Sequence, residues 1–206
     1  MSSRYLMQSG ELDSKGARTA AMIHNSSRQM ERLIRDLLDF IRTGLGQDMP
    51  IAREETDLLE LASQAVEQAK AMQTGREVVL EARGELRGLW DPARIGQVLS
   101  NLIGNALKHG DGRMPVLVEL SGSDQEVGAS VRNDGAPIPK ETLARIFEPM
   151  WRGPETRARR SDAGLGLGLY IAREIVQAHG GSIDVTSSAE AGTRFSVRLP
   201  RHGAPG

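Results

Sequence analysis

Apolar residues recur at three- and four-residue steps through residues 20–41, at Ile23, Met30, Leu33, Ile34, Leu37, Leu38 and Ile41. That period predicts a helix with one apolar stripe that needs a partner. Ile23, Met30 and Leu37 stand seven apart, as a helix in a bundle or coiled coil requires; packing against its own globular domain is the other use of the same stripe. Residues 43–50, Thr-Gly-Leu-Gly-Gln-Asp-Met-Pro, then supply the glycines and proline that end a helix and begin a new unit. This divides the chain into an N-terminal helical region (1–45), a main domain (46–201) and a short tail (202–206).

Within the main domain the pattern switches repeatedly between period two and period 3.6. A short strand is expected over 51–54, a helix over 57–72, a hairpin of 77–83 with 86–90, and a helix over 92–109. Strands over 116–120 and 127–131, a short helix over 140–147, a longer one over 167–179 and a closing hairpin of 182–186 with 194–199 complete the series. The fold class is α/β (α+β), a two-layer sandwich of a mixed sheet covered on one face by helices and preceded by a long bundle helix. Residues 149–163 are polar, rich in arginine and without hydrophobic period, as a lid over a ligand would be.

Composition narrows the function. With 26 basic and 27 acidic residues the net charge is −1, so no broad field points to nucleic acid or an anionic membrane. Cysteine is absent, which excludes disulfides and thiolate metal sites and fits a reducing compartment, the cytoplasm by default. No apolar run is long enough to span a bilayer and no signal peptide is evident, so any anchor of a membrane-bound parent would lie outside these residues.

Candidate chemistry lies in four segments. Gly164-Leu165-Gly166-Leu167-Gly168-Leu169 immediately precedes a helix, so its backbone can approach an anion while the helix N-terminus offers free N–H groups; tight packing explains such glycines equally well. It is neither a Walker A loop nor a dinucleotide fingerprint. Asn101, Asn105 and, one turn on, Lys108 and His109 share a side of the 92–109 helix. An amide oxygen suits Mg²⁺ and Lys108 suits phosphate charge, although each residue singly fits a solvated helix face. Asn133-Asp-Gly135-Ala-Pro-Ile138-Pro is a strand end running into a tight turn, where an amide or carboxylate can meet a purine edge. Thr193, at a hairpin corner, can reach the same ligand or be an ordinary turn threonine.

In this order and spacing, the segments resemble the ATP-binding domain of sensor histidine kinases, a branch of the Bergerat-fold superfamily that also includes DNA gyrase and MutL. Residues 91–109 resemble the family's N box, 133–139 its G1 box, 145–152 its F box and 164–169 its G2 box; Gly192-Thr193 resembles its terminal turn. The resemblance implies that Asn105 coordinates Mg²⁺ and that Asn101, Lys108 and His109 surround the phosphates of ATP. By the same resemblance Gly164, Leu165, Gly166, Leu167 and Gly168 form the phosphate-side hinge of the lid, and Arg152 is a further phosphate contact. In the ATP-hydrolysing relatives a water-activating carboxylate stands where this chain has Asn101, and an amide is no general base. Transfer to another nucleophile is thus expected over hydrolysis. Asn133 falls at the family's aspartate position, with Gly135 and Ile138 in register and Asp134 one residue late.

The helix over 20–41 resembles the second helix of the dimerisation and histidine-phosphotransfer hairpin. The family's acceptor pattern, a histidine followed by an acidic residue and a proline, does not occur, and His24, followed by Asn-Ser-Ser-Arg-Gln, lies on the wrong helix. The expected partners are therefore ATP, an acceptor-histidine domain, a response regulator and a second copy through the N-terminal helix, with no nucleic acid and no membrane contact. The rival readings are a non-catalytic ATP-sensing or dimer-regulating module and a serine kinase or anti-sigma relative on the same fold.

Overall fold

In the computed structural model, which describes residues 14–72, 76–151 and 165–202, the N-terminal period becomes one helix, α1 (Ser14–Gly44). It extends beyond 20–41 at both ends because no proline interrupts it. Its apolar residues Ile23, Met30, Ile34, Leu37, Leu38 and Ile41 are exposed, whereas Asp36 and Asp39 are 6% and 4% exposed. The helix thus meets the main domain with a polar edge. The Asp39 carboxylate accepts from both Arg94 amino groups at 2.6 and 3.1 Å, and Asp36 accepts from Gln97 Nε2 at 3.0 Å. Burial pushes the Asp36 carboxyl above its ordinary range, opposed by that hydrogen bond and by Arg32 and Arg35. Thr43 Oγ1 lies 2.9 Å from the Tyr170 hydroxyl, and Phe40 meets the Tyr170 ring edge-on at 5.9 Å. The side chain of His24 lies outside the described residues.

The remaining elements follow as β1 (Glu54–Asp57), α2 (Leu58–Met72), β2 (Val78–Arg83), β3 (Arg87–Trp90), α3 (Pro92–His109), β4 (Val116–Gly122) and β5 (Glu126–Asn133). After these come α4 (Lys140–Leu143), α5 (Gly168–Ala178), β6 (Ser182–Ser188) and β7 (Gly192–Pro200). The short helix expected over 140–147 stops at Leu143 and continues as turns, and the strand expected over 51–54 forms three residues later. There Ala52 N–H donates to the Asp91 carboxylate at 2.9 Å rather than to a ladder.

One expectation is overturned outright. The strands over 77–83 and 86–90 exist but do not pair as a hairpin. β2 runs parallel to β4, Val78 opposite Val116, and β3 pairs antiparallel with β1, Trp90 opposite Glu54. Trp90 decides this: it is wholly buried, its indole N–H donates to Pro200 O at 2.8 Å and its carbonyl accepts from Thr56 Oγ1 at 3.2 Å. Those partners lie away from β2, and burying so large a ring outweighs the local tendency of adjacent strands to pair.

The main sheet has the order β2-β4-β5-β7-β6, with β2–β4 parallel and the rest antiparallel. Period-two alternation turns Val127, Ala129, Val131 and Asn133 of β5 and Thr193, Phe195, Val197 and Leu199 of β7 toward the helices, where all are buried. On that side α3 contributes Ile95, Val98, Leu99, Leu102, Ile103 and Ala106, and α5 contributes Ile171, Ala172, Ile175 and Val176. The opposite sheet face is polar, with Glu119 accepting from Ser130 and Arg194. This is the expected two-layer sandwich with a mixed sheet.

The two covering helices are joined at a corner that the sequence did not single out. His179 is fully buried at the end of α5; its Nε2 accepts from Asp91 N–H at 3.0 Å and its Nδ1 lies 2.8 Å from Ile175 O. The first bond requires a bare Nε2, so Nδ1 carries the proton and donates. Desolvation lowers the His179 pKa, with Arg53 adding to the effect and the Ile175 bond and Asp91 opposing it. The folded pKa lies below the unfolded one, so this contribution to stability is complete above about pH 6.5 and is lost as pH falls through that value toward the folded pKa. We expect the urea midpoint to fall between pH 7.5 and 5.5. A His179→Gln variant should show a lower midpoint at pH 7.5 and a smaller pH dependence, His109 being common to both proteins.

Candidate functional site

Helix α3 carries its core residues on one side, which leaves Asn101 and Asn105, one turn apart, half-buried on another. The helix is held at both ends. At its start Asp91 caps the Arg94 N–H at 3.0 Å, with Pro92 in the first turn, where its missing donor costs nothing. At its end the Arg76 guanidinium donates to the carbonyls of Leu107, Gly110 (3.3 Å) and Asp111 (2.5 Å), neutralising the negative end of the helix dipole.

Along this helix the four motif segments come together. Asn101 Nδ2 donates to Gly168 O at 3.0 Å, which ties α3 to the first residue of α5 and to the glycine segment. The Asn105 carboxamide makes no hydrogen bond to any described residue. At the C-terminal end, Asp111 N–H donates to Asp134 O at 2.5 Å, and a Cβ on Gly135 would stand 3.1 Å from His109 O. The G1-type turn is therefore packed against the end of the N-box-type helix.

Asn133 is 4% exposed and opposite Thr193 in the sheet. Its Nδ2 reaches Asp134 O at a long 3.4 Å. Thr193 Oγ1 lies 2.8 Å from Ser187 Oγ, which in turn accepts from Ile138 N–H at 2.9 Å. Ile138, Thr193 and Asn133 are thus linked at this end of the sheet, with Gly135 two residues after Asn133. Asp134, the first residue past β5, lies beside Arg132 at 3.9 Å.

The glycine segment meets the end of the F-box-type stretch. Gly166 has φ +73°, and a Cβ there would stand 3.0 Å from Trp151 O and 3.2 Å from the Met150 carbonyl carbon. Met150 itself has φ 58°, a left-handed conformation uncommon outside glycine. The residues flanking the lid segment are therefore adjacent. Arg145 stacks on the Trp151 ring at 3.8 Å and pairs with Glu148 at 2.8 Å. Leu165 is exposed and Leu167 buried. Arg152, Gly164 and most of the lid expected over 149–163 lie outside the described residues.

Lys108 and His109 are exposed, one turn beyond Asn105. Partial desolvation and the neighbouring Lys108 charge lower the His109 pKa, favouring a neutral ring. Among the described residues no cluster of three histidine, aspartate or glutamate side chains forms a cage for a metal. The Asn105 amide oxygen, which meets no described donor, is the kind of neutral hard ligand that would fit Mg²⁺, a cation that takes few protein ligands. Arg76, Ser187 and His179 were missed by sequence reasoning. None sits in a recognisable motif, and each acts on backbone or hydroxyl groups brought close only by the fold.

Comparison with known proteins identifies the family. Residues 90–203 match the family described as "Histidine kinase-, DNA gyrase B-, and HSP90-like ATPase". A bacteriophytochrome of Pseudomonas aeruginosa is 36% identical over 94% of this chain and 27% of its own length. The signal transduction histidine-protein kinase AfsQ2 of Streptomyces coelicolor is 32% identical over 96% of the chain and 36% of its own length. The chain therefore spans only about a quarter to a third of these relatives. Among solved structures, the catalytic domain of histidine kinase ThkA aligns with TM-score 0.63 at 29% identity, covering 73% of this chain and 97% of that one. Full-length ShkA in complex with AMPPNP aligns with TM-score 0.72 at 26% identity, covering 98% and 42%. The fold is accordingly the Bergerat type, and the chain belongs to the histidine kinase-, DNA gyrase B- and HSP90-like ATPase family as an ATP-binding domain of the sensor histidine kinase kind.

Proposed function

We propose that this chain binds Mg-ATP along the polar side of α3 and presents its γ-phosphoryl group to a histidine supplied from outside the chain. The observation that carries this reading is the Asn101–Gly168 bond, which brings the amide-bearing helix and the glycine segment together on one side of the sheet. Asn105 would hold Mg²⁺, which when bound offsets charge on the phosphate oxygens. Lys108 and His109, with the Gly164–Gly168 backbone and Arg152 from the lid, would meet the triphosphate, and Asn133 with Gly135, Ile138 and Thr193 the adenosine end.

In the reaction an imidazole nitrogen forms a bond to the γ-phosphorus, the bond from that phosphorus to the β–γ bridging oxygen breaks, ADP leaves with that bond's electron pair, and the imidazole releases its N–H proton to bulk water. The residues contribute position and charge. Asn101 cannot act as a general base, and its amide is already committed to Gly168, which disfavours activation of water. Residues 46–201 would be the ATP-binding domain and 1–45 part of a dimerisation and phosphotransfer region whose exposed apolar stripe meets a second copy. A response regulator would receive the phosphoryl group, in a cytoplasmic setting; among the described residues no helix is long and apolar enough to cross a membrane.

Calorimetry with Mg-AMPPNP tests the site directly. Asn105→Ala should weaken binding about 10- to 100-fold, the loss shrinking when EDTA removes the metal; an equal loss with and without metal would contradict the Mg²⁺ role. With γ-labelled ATP the chain should label an acceptor-histidine domain added in trans and itself only weakly. Strong acid-labile self-labelling that disappears in His24→Ala would overturn the external acceptor.

Asn133 sets a second expectation. An amide can both accept and donate, whereas a carboxylate only accepts, and adenine offers an amino donor where guanine offers a carbonyl acceptor. Asn133→Asp should therefore raise the preference for ATP over GTP about tenfold. Unchanged selectivity in competition binding would remove Asn133 from the purine site.

A further inference from the structure

Arg76 precedes β2 and belongs to none of the four motifs, yet its guanidinium is the most heavily engaged side chain beside the site. Nη1 donates to Leu107 O, to Gly110 O at 3.3 Å and to Ala106 O at 3.5 Å; Nη2 donates to Asp111 O at 2.5 Å and Met114 O at 3.5 Å. Its Nε is buried with no partner among the described residues. A Cβ on Gly110 would stand 2.7 Å from Arg76 Nη2 and 3.0 Å from the Asn133 Cβ, so the guanidinium and Asn133 both border the space that this glycine leaves open.

We propose that Arg76 is a positioning residue for the purine end of the nucleotide site; the proposal rests on the nucleotide reading above. Five carbonyls between 106 and 114 converge on one planar cation, whose fixed donor geometry holds the end of α3 and the loop after it in one conformation. That loop in turn holds the purine-side turn. Asp111 N–H donates to Asp134 O, the residue after Asn133, and Gly135 rests against His109 O. Removing the guanidinium leaves the loop free to move and with it the Asn133 amide. The phosphate side shares Lys108 and His109 with this helix end but has a second anchor of its own, the Asn101–Gly168 bond about two helical turns away.

The two ends can be read separately. Binding of ADP and of tripolyphosphate, each with Mg²⁺, is compared in the full chain and in Arg76→Ala. ADP should weaken about tenfold or more and tripolyphosphate by a clearly smaller factor, because Lys108 and His109 stand on the clamped helix end while the Asn101–Gly168 anchor does not. Methylguanidinium should restore ADP binding to Arg76→Ala but not to an Asn133→Ala control. If Arg76→Ala does not fold, Arg76→Lys replaces it: the ammonium keeps the charge at the helix end but cannot reach five carbonyls, so ADP binding should still weaken more than tripolyphosphate binding does. Equal losses for both ligands, or no loss for ADP, would overturn the positioning role. Failure of the unaltered chain to bind ADP at all would instead contradict the nucleotide reading on which it rests.

Discussion

Helix α3 has to be held at both ends before anything can bind along its side. Its first turn is fixed by the Asp91 carboxylate, shared between Arg94 N–H and Ala52 N–H, and by the His179 imidazole that accepts from Asp91 N–H. Its last turn is fixed by the guanidinium of Arg76. Between these clamps the buried face from Ile95 to Leu107 presses on the sheet, each large side chain contributing about 2 kcal/mol. The orientation of Asn101 and Asn105 follows from that: once the apolar side is buried, the 3.6-residue period leaves the amides nowhere else to point.

The N-terminal helix joins this arrangement in an unexpected sense. It docks through carboxylates and leaves its apolar stripe outside. Arg94 and Gln97, which receive Asp39 and Asp36, stand two turns and one turn before Asn101 on the same helix, and Tyr170, which meets Thr43 and Phe40, stands two residues after Gly168. Helix α1 thus touches both elements that the Asn101–Gly168 bond connects. Buried ion pairs of this kind add little net stability but strongly penalise misalignment, because a displaced Asp39 would leave Arg94 without its partner.

Much of the fold was legible because it depends on local period. The 92–109 helix matches the observed one at both ends, since a capping aspartate, a proline in the first turn and a following glycine punctuate it. The 77–90 segment shows where such reading stops. Both strands were visible, but their partners were chosen by the burial of Trp90 and by β4, which starts 38 residues after the start of β2. The polarity of the α1 docking face was invisible for a similar reason, because Asp36 and Asp39 resemble solvent-facing charges until Gln97 and Arg94 are brought opposite them. The four motif segments could be read in order and spacing, and the structure draws them around one helix. Arg76, Ser187 and His179 were beyond reach because each serves a backbone or hydroxyl group distant in sequence.

The central claim is that a nucleotide occupies the side of α3 between the glycine segment and Asn133. Side-chain amide resonances of Asn101, Asn105 and Asn133, followed by ¹⁵N NMR while Mg-AMPPNP is added, report on that volume at three points. The account predicts that all three shift along one saturation curve, with Asn105 alone responding when the metal is then withdrawn. Saturable binding that leaves all three resonances in place would put the nucleotide somewhere else and contradict it.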